Sequence, residues 1–193
     1  MSGLSIKELS IPGVFLIEPP YSEDGRGCFY KVFVEEDFAA AGLPLCCSEE
    51  FFSVSKRHVI RGMHFQSFHP QIKLVQVLAG AVYDVVVDLR ADSPCFGKWT
   101  GIELSAENRR GLYIPRGCAH GFLALRDGSM MRYLCDGRYD KDTDTGISYC
   151  DPEIGVDWPL PPGEEPIVGE RDRRQMSFEE FRKSYRFVYD TRA

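Results

Sequence analysis

Between residues 12 and 150 the periodicity of the chain changes little. Short runs rich in β-branched and aromatic residues alternate there with turn signals such as Glu23-Asp24-Gly25, Ala79-Gly80 and Asp127-Gly128. That rhythm predicts an antiparallel sandwich or barrel, because strands of this length need close partners and short connections. The clearest strand is Val82 to Leu89. Its period of two puts Tyr83, Val85, Val87 and Leu89 on one face and Val82, Asp84, Val86 and Asp88 on the other. Two carboxylates thus share a face with two valines.

Two helices punctuate the β-rich pattern. A short one is predicted from Val34 to Ala41, stopped by Gly42. A second opens at a capping box, Ser177-Phe-Glu-Glu180, and is expected over about 177–188, with Phe178, Phe181, Tyr185 and Val188 along one stripe. An extended, helix-free connector, Pro159 to Pro166, precedes it. A chain of 193 residues that is 44% hydrophobic and 12% aromatic can bury one good core, so a single domain over 1–193 is expected.

Charge and cysteine usage narrow the function classes. A net charge of −6 argues against a sequence-independent nucleic-acid binder, which needs a basic surface. An anionic ligand must therefore meet locally gathered Arg and Lys. No apolar run reaches the roughly 18 residues of a membrane span, and Met1 to Ser10 lacks the build of a signal peptide. A soluble, cytoplasmic protein without membrane partners is the expectation. Seven cysteines with no CxxC pair suggest neither a disulfide framework nor a zinc knuckle.

Two segments carry chemistry. In the first, Arg61-Gly-Met-His-Phe-Gln66 is followed by Lys73-Leu-Val-Gln-Val77, so a histidine and a lysine flank a turn between two strand patterns. The second, Ile114-Pro-Arg-Gly-Cys-Ala-His-Gly-Phe122, satisfies P-x-G-x-x-H, the second signature of cupins, in which proline and glycine turn the histidine inward. A metal-dependent cupin also needs a H-x-H pair and a downstream carboxylate in its first motif. Here the pair is His64 and Gln66, and no acidic residue lies between Arg61 and Ala81. No bound catalytic metal or other cofactor is expected, which leaves His64 and His120 as imidazoles for proton chemistry or phosphate binding.

Six ordered blocks together resemble the dTDP-4-dehydrorhamnose 3,5-epimerase family. They are Asp24-Gly-Arg-Gly-Cys-Phe29, Val59-Ile-Arg-Gly-Met-His-Phe-Gln66, Val82-Tyr-Asp-Val-Val-Val-Asp-Leu-Arg90, Ser93-Pro-Cys-Phe-Gly-Lys-Trp99, Ala119-His-Gly-Phe122 and Asp151-Pro-Glu-Ile-Gly-Val-Asp-Trp-Pro159. The similarity covers about residues 10–175. It implies a mainly β, cupin-type jelly-roll sandwich, the double-stranded β-helix, with a short helix and a C-terminal helix. The implied activity is epimerisation at C3, C5 or both of a nucleoside-diphospho-4-keto-6-deoxyhexose. The same resemblance implies His64 as base, Tyr133 as opposed proton donor and Lys73 as stabiliser of the O4 charge. It places Arg26, Arg61 and His120 at the diphosphate and Tyr139 with Phe29 around the base. The strand carrying Arg26 and Phe29 is implied to enter a neighbour's pocket, making a homodimer by N-terminal strand exchange.

Four departures from the family pattern, one of them at a pair of positions, stand beside the matches. The aspartate that orients the catalytic histidine aligns with Glu170, with Asp172 as the alternative in the same segment. Lys31 replaces a glutamate near the thymine edge, Glu49 and Phe51 replace a polar pair, and Asp144 stands for a more distant carboxylate. These changes leave room for a base other than thymine, such as cytosine, which would suit the donors of Lys31. Two rival readings remain: a 3,4-ketoisomerase of the same fold, and a non-catalytic module that binds sugar nucleotides. Survival of base, opposed acid and enolate stabiliser in one chain favours the epimerase.

Overall fold

A computed structural model describes residues 3–189. In chain order its elements are β1 (Ser5–Glu8), β2 (Phe15–Glu18), β3 (Tyr21–Asp24), β4 (Gly27–Tyr30), α1 (Glu35–Ala40), β5 (Glu49–Ser55), β6 (Val59–Gln66), β7 (Lys73–Ala79) and β8 (Ala81–Asp88). There follow β9 (Trp99–Ser105), β10 (Gly111–Ile114), β11 (Cys118–Ala124), β12 (Ser129–Cys135), β13 (Asp144–Gly146), β14 (Ile167–Val168), α2 (Glu170–Arg173) and α3 (Phe178–Ser184). Two sheets hold most of the strands, in the orders β1-β2-β10-β7-β12-β5 and β13-β6-β11-β8-β9. Neighbours pair antiparallel, except that β14 lies parallel to β6. This is the expected mainly β, cupin-type jelly roll. The β3–β4 hairpin forms a separate two-stranded sheet.

Apolar side chains explain why the sheets pack face to face. Val75 and Val77 of β7, Leu112 of β10 and Met131 of β12 meet Val82 and Val86 of β8, Leu104 of β9 and Phe122 of β11 in one cluster. Strand β8 is buried on both faces, which is why valines occur on both of its faces. Val85, Val87 and Leu89 point away from the sandwich into a second cluster, closed by Phe178 and Phe181 of α3. Asp84 and Asp88 share the inner side with Val82 and Val86, as the period of two predicts. Each buried carboxylate has a partner: Asp88 takes Arg90 Nε at 2.8 Å and Ser93 Oγ at 2.5 Å, while Asp84 faces His120.

The helix starts match the sequence reading better than the helix ends. Ser177 Oγ accepts from Glu180 N at 3.2 Å and Ser177 N donates to Glu180 Oε2 at 2.8 Å, so the capping box forms. The helix does not reach 188. Tyr185 turns extended, and Ala91 N then donates to Phe187 O at 2.9 Å, which pulls the chain onto the segment after β8. Phe187 joins the core under α3, and Val188, expected on the helix stripe, is left 68% exposed. The connector 159–166 is helix-free, as expected. Among the described residues no helix is long and apolar enough to cross a membrane.

Candidate active site

The site begins with an irregularity in β6. His120 of β11 stands opposite His64, yet Phe122, two residues on, stands opposite Arg61, so β6 carries one extra residue. Without that bulge, residues 61 and 64 would point to opposite faces of the sheet. With it, Arg61, His64 and Gln66 all line one cavity, while Met63 and Phe65 pack outward against the α3 cluster. Glycine is required at the bulge. Gly62 has φ +132°, and a Cβ there would sit 2.5 Å from the Gly121 Cα.

The cavity, about 230 Å³, opens between the two sheets. His64 of β6 and His120 of β11 come from one sheet; Lys73 of β7 and Tyr133 of β12 come from the other. Phe51, Tyr139 and Asp144 also line it. A larger cleft of about 480 Å³, bounded by Phe15, Tyr113 and Arg90, contains none of these residues, and its Arg90 is committed to Asp88.

Hydrogen bonding defines the proton states. His64 Nε2 lies 2.7 Å from Asp172 Oδ1, and Gly62 N donates to the other oxygen at 3.4 Å. Burial works to raise the Asp172 carboxyl, but the hydrogen bond and charge of His64, with help from Gly62 and Arg171, outweigh it and hold the group below the usual carboxylate range. An ionised carboxylate only accepts, so Nε2 is the donor in this contact and Nδ1 is the ring nitrogen left for another partner. A second pair lies deeper, where His120 Nε2 contacts both Asp84 oxygens at 3.0 and 2.9 Å. Burial pushes the Asp84 carboxyl up, against the pull of His120 and Lys73.

The facing sheet supplies an ammonium and a phenol. Burial pulls the Lys73 ammonium below its ordinary value, while Cys135, Asp144 and Asp84 act to keep it charged. Burial pushes the Tyr133 phenol well above the usual tyrosine range, so it stays protonated at neutral pH. Its hydroxyl reaches Ser53 Oγ at 3.4 Å, and its ring stacks on Phe51 with centroids 4.5 Å apart. Such a set can remove a proton from one side of a bound carbon acid and return one from the other. Among the described residues, no three His, Cys, Asp or Glu side chains gather closely enough to hold a metal ion.

Eight of the sequence-derived site residues line the cavity: His64, Lys73, Tyr133, Phe51, Arg61, His120, Tyr139 and Asp144. Glu49 stands at its rim, where Oε2 accepts from Tyr139 N at 2.7 Å. Glu170 is a correction. It is exposed and pairs with Arg174 at 3.3 Å, and the carboxylate on His64 is Asp172. The reason is helical: α2 starts at Glu170, and residues two apart on a helix point in nearly opposite directions. Arg26, Phe29 and Lys31 lie outside the cavity on or just after the exposed β3–β4 hairpin, where Arg26 pairs only with Asp24 among the described residues.

Two residues were missed. Arg171 lines the cavity and pairs with Asp144, but nothing local in Glu170-Arg-Asp172 marks it. Asp84 had a signal, since a carboxylate among valines on a doubly buried strand demands a partner.

Comparison with known proteins places the chain among epimerases. A family model described as dTDP-4-dehydrorhamnose 3,5-epimerase matches residues 8–180. A dTDP-4-dehydrorhamnose 3,5-epimerase of Methanothermobacter thermautotrophicus is 46% identical over 164 residues, covering 85% of this chain and 89% of the relative. A dTDP-4-dehydrorhamnose 3-epimerase of Streptomyces niveus is 40% identical over 181 residues, covering 93% of this chain and 86% of the relative. The structure of dTDP-6-deoxy-D-glucose-3,5-epimerase from Legionella pneumophila, in complex with dTDP-4-keto-L-rhamnose, superposes with TM-score 0.92 at 36% identity, over 97% of this chain and 100% of that one.

Proposed function

The chain belongs to the dTDP-4-dehydrorhamnose 3,5-epimerase family, and from that premise we propose that it epimerises a nucleoside-diphospho-4-keto-6-deoxyhexose at C3, C5 or both. The observation that carries this reading is the opposition of His64, with its Nε2 proton given to Asp172, and a buried, protonated Tyr133 on the facing sheet. A C–H beside a ketone is a weak acid until its enolate is stabilised. His64 Nδ1 removes that proton, and Lys73 supports the negative charge that develops on O4. Tyr133 gives its proton to the opposite face of the same carbon, inverting it. The imidazolium and phenolate left behind return to their starting states by proton exchange with solvent.

The dTDP sugar is the substrate we favour, since relatives with both named activities act on it. Arg61 and Arg171 are cations at one cavity in an acidic chain, which suits a diphosphate, and His120 stands beside them. Tyr139, half exposed at the rim, offers a ring on which a base can stack. We assign the other ring to Phe29 of a second protomer, whose β3–β4 hairpin would bring Arg26 and Lys31 with it. A homodimer by exchange of this segment follows from that assignment.

Incubation with 4-keto nucleotide sugars in D2O, read by NMR, tests the reading. Deuterium should enter at C3, C5 or both. His64→Ala should abolish the exchange, whereas Tyr133→Phe should keep proton removal and lose return to the correct face. Exchange at the parental rate in His64→Ala would show that another group is the base.

A further inference from the structure

The carboxylate on His64 belongs to a segment held from the far side of β6, by a residue whose backbone is unusual. His58 sits in the tight turn between β5 and β6, with Val59 N donating to Lys56 O at 3.2 Å, and has φ +64°. That left-handed conformation is the ordinary province of glycine. The histidine placed there has only 14% of its side chain exposed, and its Nδ1 lies 2.6 Å from Glu164 Oε2 in the Pro-rich connector. Its backbone takes part as well. His58 N donates to Ala124 O at 2.8 Å, and His58 O accepts from Ile167 N at 2.8 Å. From that bond the connector runs into β14, where Ile167 and Val168 pair with Val59 and Ile60, and Val168 packs on Ile60 and Leu123. Gly169 then caps α2, which carries Arg171 to Asp144 and Asp172 to His64.

We propose that the His58–Glu164 pair is a latch for the strap 159–169, and that His58 and Glu164 are positioning residues which hold Asp172 on the imidazole of His64. The proposal rests on His64 being the base, but one arm of its test does not. A single partly exposed contact between polar side chains adds little to global stability. What it can fix is the path of a strap that has no helix of its own and must deliver a carboxylate at hydrogen-bond distance.

The test uses the full chain and the variants His58→Asn and Glu164→Ala. Asparagine tolerates a left-handed φ, so the turn is kept while the contact between the two side chains is lost. Each variant should lower kcat roughly three- to tenfold, since misplaced proton-transfer groups lose rate steeply. The thermal midpoint should stay within about 2 °C of the parent. The low-field imidazole N–H resonance of the His64–Asp172 hydrogen bond, assigned by its absence in His64→Ala, should broaden or vanish. The reversed pair His58→Asp with Glu164→Lys should recover both kcat and resonance. Parental kcat with an intact resonance overturns the proposal. So does lost kcat with the resonance unchanged, whether or not the thermal midpoint falls. A lost resonance with parental kcat, or in a protein that turns over none of the sugars, keeps the latch and overturns His64 as the base.

Discussion

Asp172 and Glu170 stand two residues apart on one helical turn, and only Asp172 meets His64, at 2.7 Å. Asp172→Asn removes the charge that holds the proton on Nε2, so deuterium exchange should fall by roughly 10²- to 10⁴-fold, the usual worth of acid–base assistance. Glu170→Gln touches only the exposed pair with Arg174 and should leave exchange within about twofold. If both variants exchange alike, Asp172 does not orient the base. Tyr133 supplies the pH dependence. Burial raises its pKa above the unfolded value, so its contribution to stability is intact below about pH 10 and is lost as pH rises from there toward the folded value. The donor therefore stays protonated from pH 7 to 9. Correct-face return should show no alkaline loss over that range, which stereochemical analysis of the product at each pH would check. At this scale the roles of His64, Lys73 and Tyr133 were legible only through the family resemblance, because an imidazole, an ammonium and a phenol in strand-like runs are by themselves ordinary residues of a core or a rim. Which of two nearby carboxylates serves the imidazole was not legible, since a step of two residues along a helix reverses their directions.

Strand β8 and the opening of α3 are the elements that local sequence specifies best. The run Val82 to Leu89 alternates as written, and Ser177 with Glu180 caps its helix through side chains three residues apart. The end of α3 is decided instead by distant contact, when Phe187 docks beside Arg90, so a stripe that continues to Val188 misleads. The bulge in β6 is the deeper case. One inserted residue changes which side chains share a face, and no period reveals it, although Gly62 and Gly121 are its trace. At φ +132°, with a Cβ directed at the Gly121 Cα, Gly62→Ala should cost at least about 1–3 kcal/mol and scatter Arg61 and His64. Urea unfolding would measure the first effect and D2O exchange the second. Parental values in both would mean that the close approach of β6 and β11 is not needed.

For the whole molecule the open question is which chain completes which cavity. Within one chain, Arg26, Phe29 and Lys31 stand away from His64 on or beside a hairpin that belongs to neither large sheet, with Phe29 54% and Tyr21 53% exposed. On four-residue strands, Phe29 stands half exposed and Tyr21 meets the Arg109 guanidinium 4.0 Å over its ring, so both rings keep apolar surface that their own chain does not cover. They are well explained if the hairpin closes a neighbour's pocket. Exchange of this kind makes a genetic test possible, since a protomer with a damaged cavity can still lend an intact hairpin. A chain carrying Arg26→Ala with Phe29→Ala and a chain carrying His64→Ala should each be nearly inactive alone. Unfolded together in equal amounts and refolded, half of the pairs would be mixed, each with one sound site of two. About a quarter of the parental activity should then return if the assembly is a closed two-fold dimer. Return of none, from mixtures shown by mass to contain mixed dimers, would confine each site to a single chain, whereas full activity of the Arg26→Ala, Phe29→Ala chain on its own would leave those residues without a part in it.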